Sequence, residues 1–374
     1  MRVERLTVRE IELALRAPFA TAHGIVAHRR LLLVELEDGD GTPGTAECVA
    51  GAVPGYTTET VDGAWGTITG RLAPRAVGLD VEDPSGIITA MGDVALTEPM
   101  ARAALEMACW DLDARRENLP LAGLLGGTRS TVPAGIAIGL TGTPEETADA
   151  AAAAVGQGYQ RIKLKIQPGA DLEVVRAVRQ RVGDGVALTV DGNGSYTRAD
   201  LDHLTALDEF RLQMIEQPLP ADDLAGHADL QRRLRTAVCL DESVITIANL
   251  ERMISEEAGR VLNLKPGRVG GFTTALAMVD MAVAHGIDLW VGGMLETGVG
   301  RAHNVALASL EAFALPADLS PSDRYWEQDI VDPPWTMEAG ALRVPLAEPG
   351  SGVSLDQARI QALTTRVREI RAAH

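Results

Sequence analysis

Six residues in the middle of the chain have the types and spacing for chemistry: Lys163, Lys165, Asp191, Glu216, Asp241 and Lys265. Each acid, and Lys265, closes a short apolar run: Ala187-Leu-Thr-Val190, Met214-Ile215, Val238-Cys-Leu240 and Val261-Leu-Asn-Leu264. Three clustered carboxylates supply hard oxygen donors, which suit Mg²⁺ and its octahedral demand. Without a cation they would repel one another and raise their own pKa values. One acid at a strand end is ordinarily a helix cap; three at near-equal spacing point to a metal. Lys163 and Lys165 are two apart and so share one face of a strand. A free lysine, with pKa about 10.4, is rarely a neutral base at pH 7. Neighbouring positive charge and desolvation lower that value, and Lys163 beside Lys165, or Arg268 beside Lys265, can supply the charge. Phosphate-binding or solvent-facing lysines are the plainer alternative, but inward lysines are costly unless used. A base on each face of a metal-bound carboxylate would abstract the proton α to it, through an enediolate.

The elements that position these residues follow from their spacing. The landmarks recur at roughly 25 residues, about one strand plus one helix. Helix-like segments such as Leu172 to Val182 and Ala199 to Leu207 lie between the apolar runs. Repeated units of this kind give a parallel sheet and, with enough of them, an α/β (β/α)8-type barrel whose strand ends face one mouth. A barrel of about 250 residues leaves room in the 374 for a second domain.

The flanks read as that second domain. Leu6 to Leu15 and Leu31 to Glu37 alternate apolar and polar residues, as half-buried strands do. Asp38-Gly39-Asp40-Gly41 reads as a turn rather than a calcium loop, since Val49 stands where an EF-hand needs its last acid. Two Pro/Gly-punctuated stretches, Ala17 to Gly24 and Val49 to Tyr56, read as loops. With Phe19 and Tyr56 they either close over a site or merely connect strands. Ala101, Ala104, Leu105, Ala108, Cys109 and Leu112 share a helical face after Thr97-Glu-Pro99. Val132 to Ile138 looks like the first barrel strand, and Gly292 to Gly298 is a glycine-rich loop. The expected division is a capping α+β domain over 1–128, a barrel over 129–320, and a tail over 321–374 returning to the cap. The cap's two loops fall near 17–27 and 49–58.

Bulk composition limits the partners. Fifty-two acidic against 34 basic side chains give a net charge of −18, which argues against nucleic acid and against anionic membrane surfaces. Three widely spaced cysteines, no apolar leader and no long apolar stretch point to a soluble cytoplasmic protein with buried thiols.

These residues resemble the enolase superfamily, in its muconate-lactonising-enzyme subgroup; a Lys or His base with Mg²⁺ is the pattern already described for that superfamily. The likeness spans nearly the whole chain and includes Ala108-Cys-Trp-Asp-Leu112 and Leu124-Leu-Gly-Gly127 of the cap. It implies that Asp191, Glu216 and Asp241 bind Mg²⁺, for which Mn²⁺ can substitute. It further implies that Lys165 and Lys265 are the acid/base pair, with Lys163, Arg268, Asn193 and Glu242 auxiliary. Mandelate racemase relatives would carry Asp in place of Lys265, and dipeptide epimerases an Asp-x-Asp on the last strand; neither feature is present.

Within the subgroup, Lys265-Pro-Gly-Arg-Val-Gly-Gly271 and the run from Gly292 to Asn304 are similar to o-succinylbenzoate synthases that overlap with N-succinylamino acid racemases. The likeness implies a small-molecule carboxylate with a succinyl group, handled by syn-dehydration in menaquinone biosynthesis or by two-base 1,1-proton transfer. It also implies a homo-oligomer. Phe19, Tyr56, Gly293, Met294 and Glu296 are the expected substrate contacts. Arg268 is expected to favour neutral Lys265 and so help racemisation more than dehydration. A silent barrel serving as a scaffold is the reading from another class.

Overall fold

The computed structural model describes residues 1–92, 97–140 and 142–373. The two alternating segments near the start form long antiparallel strands, β1 (Val3–Thr21) and β2 (Gly24–Asp38), followed by β3 (Pro43–Cys48). The tail supplies the fourth strand, Thr364–Arg371, which pairs with β1 from Arg5↔Arg371 to Ile11↔Thr364. Helix Pro99–Arg116 packs its alanine-rich face against β2 and β3, with Pro99 in the first turn where no N–H is needed.

The stretch Ala17 to Gly24 is not an open loop. Phe19 pairs with Val26, Ala20 with Ile25 and Thr21 with Gly24, so the strands run on into a hairpin that turns at Ala22-His23. Gly24 has φ 121°, which a side chain would disfavour. Pro18 falls in the register break between Ala14 and Phe19, where its missing donor costs nothing. The Asp38 carboxylate accepts from the N–H groups of Asp40 and Thr42 at 3.0 and 2.9 Å, an ordinary turn.

The parallel sheet runs, strand by neighbouring strand, through Gly135–Ile138, Arg161–Lys165, Ala187–Asp191, Met214–Glu216, Ala237–Leu240, Val261–Leu264 and Asp288–Val291. The first of these is shorter than expected, because Thr131–Pro133 pairs instead with Ala341–Arg343 of the tail. The gap between the last and first strands is filled by two residues. Ala317 N donates to Pro133 O at 3.0 Å, Gly135 N to Ala317 O at 2.6 Å, and Asp318 N to Val291 O at 3.0 Å. Ala317-Asp318 thus stands in the eighth position of a curled (β/α)8-type sheet.

Buried acids join cap to barrel. Glu106 of helix Pro99–Arg116 accepts from Phe272 N at 2.8 Å and Thr273 N at 2.9 Å, the open N-terminus of helix Phe272–Ala284. Glu47 of β3 does the same for Thr297 N and Gly300 N at 3.1 and 3.2 Å. A carboxylate at a helix N-terminus meets both free donors and the positive end of the dipole. Gly271 leaves the space that Glu106 occupies. Cys48, Cys109 and Cys239 are buried and unpaired. Among the described residues no helix is long and apolar enough to cross a membrane.

Buried His227 is expected to make the fold acid-sensitive. His227 Nε2 accepts from Leu219 N at 3.2 Å and Nδ1 lies 2.8 Å from Asp223 O, a pairing that needs neutral imidazole. Burial pushes its pKa from 6.5 down to about 4. Above pH 6.5 it is neutral in both states and contributes nothing to pH dependence; below that the unfolded chain takes the proton first. Stability is therefore expected to fall between pH 6.5 and about 4, by up to roughly 3 kcal/mol. Urea unfolding of His227→Gln across that range should show a shallower acid slope; an unchanged slope would refute the assignment.

Candidate active site

Register places the chemistry at one level. Lys165 is paired with Asp191 and Asp191 with Glu216 across three adjacent strands, all at their C-terminal ends. Asp241 follows the next strand and Lys265 the one after, so Lys165 and Lys265 leave the barrel on opposite sides of the mouth. Asp191, Glu216 and Asp241 are each no more than 1% exposed. Lys165 Nζ donates to Asp191 Oδ2 at 2.6 Å and to Asn193 Oδ1 at 2.7 Å. Asn193 in turn donates to Glu242 Oε1 at 2.8 Å. Lys265 Nζ donates to Asp241 Oδ2 at 2.8 Å and to the Tyr56 hydroxyl at 3.1 Å. Lys163, deeper in the barrel, lies 3.0 Å from Glu216 and 3.2 Å from Asp191.

The electrostatics are set by burial against pairing. Burial and Asp191 push Glu216 up to about 8. Burial acts the same way on Asp241 and Asp191, but the cations beside them prevail: Lys265 and Arg268 hold Asp241 low, and Lys165 and Lys163 hold Asp191 low. Among the described residues no three acidic, histidine or cysteine side chains form a ready-made cation cage, because these carboxylates turn onto ammonium groups instead.

The cap covers this mouth. A cavity of about 470 Å³ is bounded by the β1–β2 hairpin, the 49–57 loop and the barrel, and both Lys165 and Lys265 open onto it. Phe19, Tyr56, Gly293 and Met294 line it, as does His23 of the hairpin turn, whose Nε2 is 3.7 Å from Glu242 Oε1. Tyr56 also sits over Lys265, with Nζ 4.2 Å from the ring centroid, and donates its hydroxyl to Asp241 at 2.6 Å.

Two of the expected residues have partners that the sequence does not announce. The Glu296 carboxylate accepts from Met294 N at 2.7 Å and Asn304 Nδ2 at 2.8 Å, stapling its own loop to the following helix, and Glu296 is not among the residues lining the cavity. Arg268 is one of several groups that act on Lys265. Burial alone would depress Lys265, but Asp241 and Tyr56 outweigh both burial and the repulsion from Lys163 and Arg268, so its pKa is raised. Arg268 is itself fully buried and committed to Asp241, Tyr56 and the carbonyls of Val244 and Asn263. Sequence reasoning missed Asp318 and Arg161. Asp318 Oδ2 lies 2.7 Å from Lys163 Nζ, and its Oδ1 accepts from Arg161 at 2.6 Å. No apolar run announces a strand at Pro316-Ala-Asp-Leu319, so nothing local flagged them.

Known proteins share this architecture. Residues 4–126 match the family described as mandelate racemase / muconate lactonizing enzyme, N-terminal domain, and residues 146–359 match the one described as enolase C-terminal domain-like. The chain is 42% identical over 362 residues to an o-succinylbenzoate synthase of Geobacillus kaustophilus, covering 97% of this chain and 96% of that one. It is also 42% identical over 366 residues to an N-succinylamino acid racemase of Amycolatopsis sp, covering 98% of each. The crystal structure of an enolase-superfamily member from Listeria innocua superposes with a TM-score of 0.94 at 36% identity, over 99% of both chains.

Proposed function

Because the chain belongs to the mandelate racemase / muconate lactonizing enzyme family of the enolase superfamily, we propose that it is an o-succinylbenzoate synthase, dehydrating 2-succinyl-6-hydroxy-2,4-cyclohexadiene-1-carboxylate. The observation that carries this reading is one cavity flanked by two lysines on opposite strands, with three buried carboxylates on the strand ends between them. The reading draws further support from full-length synthase relatives at about 40% identity.

Asp191, Glu216 and Asp241 would hold Mg²⁺, with Mn²⁺ as a substitute. Their chemistry fits a hard divalent ion: all three offer oxygen, all are buried, and the ionised form of Glu216 is costly without added positive charge. When bound, the ion would supply positive charge to the substrate carboxylate and to the enediolate that forms from it.

The protein's own groups do the rest. Lys165 takes the α proton, for which it is oriented by Asp191 and by the Asn193–Glu242 pair. The C–O bond then breaks on the same face, and Lys165 returns its proton to the departing hydroxide as water. Lys265, hydrogen-bonded to Asp241 and Tyr56, would stabilise negative charge as an ammonium from the other face. Phe19, Tyr56, Gly293 and Met294 shape the space around the substrate. A second reading, N-succinylamino acid racemisation, uses both lysines as proton carriers and is favoured by racemase relatives at equal identity.

The deciding assay follows ultraviolet absorbance during Mg²⁺-dependent dehydration. Turnover absent without the metal is expected. If there is none, N-succinylamino acids incubated in heavy water should gain α-deuterium, and a protein that does neither would refute both readings.

A further inference from the structure

Lys163 has three carboxylates around one ammonium. Its Nζ lies 2.7 Å from Asp318, 3.0 Å from Glu216 and 3.2 Å from Asp191. Two of these are the groups assigned above to the metal, and the third and nearest is not. An ammonium seated on Glu216 and Asp191 competes with any cation for the same oxygens. Asp318 has only two residues of strand on which to sit, yet it is firmly held. Arg161 is fully buried, stacks 3.9 Å from the Trp290 ring centroid and donates to Asp318 Oδ1 at 2.6 Å. The Nε and second terminal nitrogen of Arg161 have no hydrogen-bond partner, so Asp318 is the one anion on that guanidinium among the described residues.

We propose that Asp318 is a positioning residue: it shares the Lys163 ammonium and so weakens its hold on Asp191 and Glu216, the carboxylates proposed to hold the divalent cation. The inference rests on the proposed metal site and deepens it. Asp318 need touch neither substrate nor metal. Its effect is on the affinity of the site, exerted through Lys163.

The test is calorimetric titration of the full-length, chelator-treated protein with Mg²⁺, which needs no turnover. Asp318→Asn is expected to raise the Mg²⁺ Kd by about 10- to 100-fold, the usual range for groups that orient metal ligands. Lys163→Met should tighten binding less in the wild-type background, where Asp318 shares the lysine, than in the Asp318→Asn background. In the Asp318→Asn background the same change should restore affinity, a non-additivity that simple loss of charge or of packing would not produce. An unaltered Kd in Asp318→Asn overturns the proposal, and so does a Lys163→Met effect of equal size in both backgrounds. If Asp318→Asn does not fold, the double variant decides: folded with near-wild-type affinity it supports the proposal, and folded with affinity more than about tenfold weaker it overturns it. Asp241→Asn is run alongside. If it binds Mg²⁺ as well as wild type does, the metal site itself is misassigned, and that failure is separate from a failure of Asp318.

Discussion

Lys165→Ala is expected to lower turnover by about 10²- to 10⁴-fold, the scale of a lost general base, while Mg²⁺ still binds. The side chain opens onto the cavity, and its nitrogen is fixed by Asp191 at 2.6 Å and Asn193 at 2.7 Å. Alanine removes that nitrogen and leaves both partners in place. Lys165→Arg should be almost as inactive, because a guanidinium keeps the charge but cannot shed its proton near pH 7. Comparing the two separates a base from a mere cation. If the racemase reading holds, heavy water makes the result directional. Lys165→Ala should abolish racemisation yet leave α-exchange on the enantiomer whose proton faces Lys265, and Lys265→Ala should show the mirror pattern. Arginine rescuing turnover, or alanine still exchanging both enantiomers, would remove Lys165 from the proton path.

How much of this was legible in the letters depended on whether the relevant forces were local. Asp191, Glu216, Asp241 and Lys265 could be found because each ends an apolar run, and a buried parallel strand requires such a run. Lys163 and Lys165 were placed on one face by the alternation of any strand. Ala17 to Gly24 misled because proline and glycine ordinarily punctuate loops, whereas here pairing across a tight turn satisfied the backbone. Asp318 was invisible for a related reason. Its strand is two residues long and is defined by hydrogen bonds to segments far away in sequence, at Pro133, Gly135 and Val291. Glu47 and Glu106 read as unremarkable acids until the helix termini they cap are brought to them by tertiary packing. Arg268 lies near Lys265 in sequence, but Asp241, the carboxylate that pairs with Lys265, arrives from a neighbouring strand.

The same dependence on distant partners makes Glu216 the position where a nearly isosteric change should cost most. Glu216 is fully buried; Oε1 accepts from Asn263 Nδ2 at 2.7 Å and Oε2 from Lys163 at 3.0 Å. Its place on the strand between those of Asp191 and Asp241 makes it the middle donor of the proposed set. Glu216→Gln preserves volume and one acceptor while deleting a charge, so the fold is expected to persist and cation affinity to collapse. Ligand linkage gives a readout independent of turnover. A bound ion stabilises by RT ln(1 + [L]/Kd), about 2.7 kcal/mol at a hundredfold excess over Kd. Wild type should therefore melt at progressively higher temperature as Mg²⁺ is added, and chelation should reverse the gain and remove activity. Glu216→Gln should show a Tm independent of Mg²⁺ in the same range, with turnover below detection. A variant whose Tm still climbs with Mg²⁺ as wild type's does would place the ion elsewhere, and the proposed division of labour between carboxylates and lysines would fall with it.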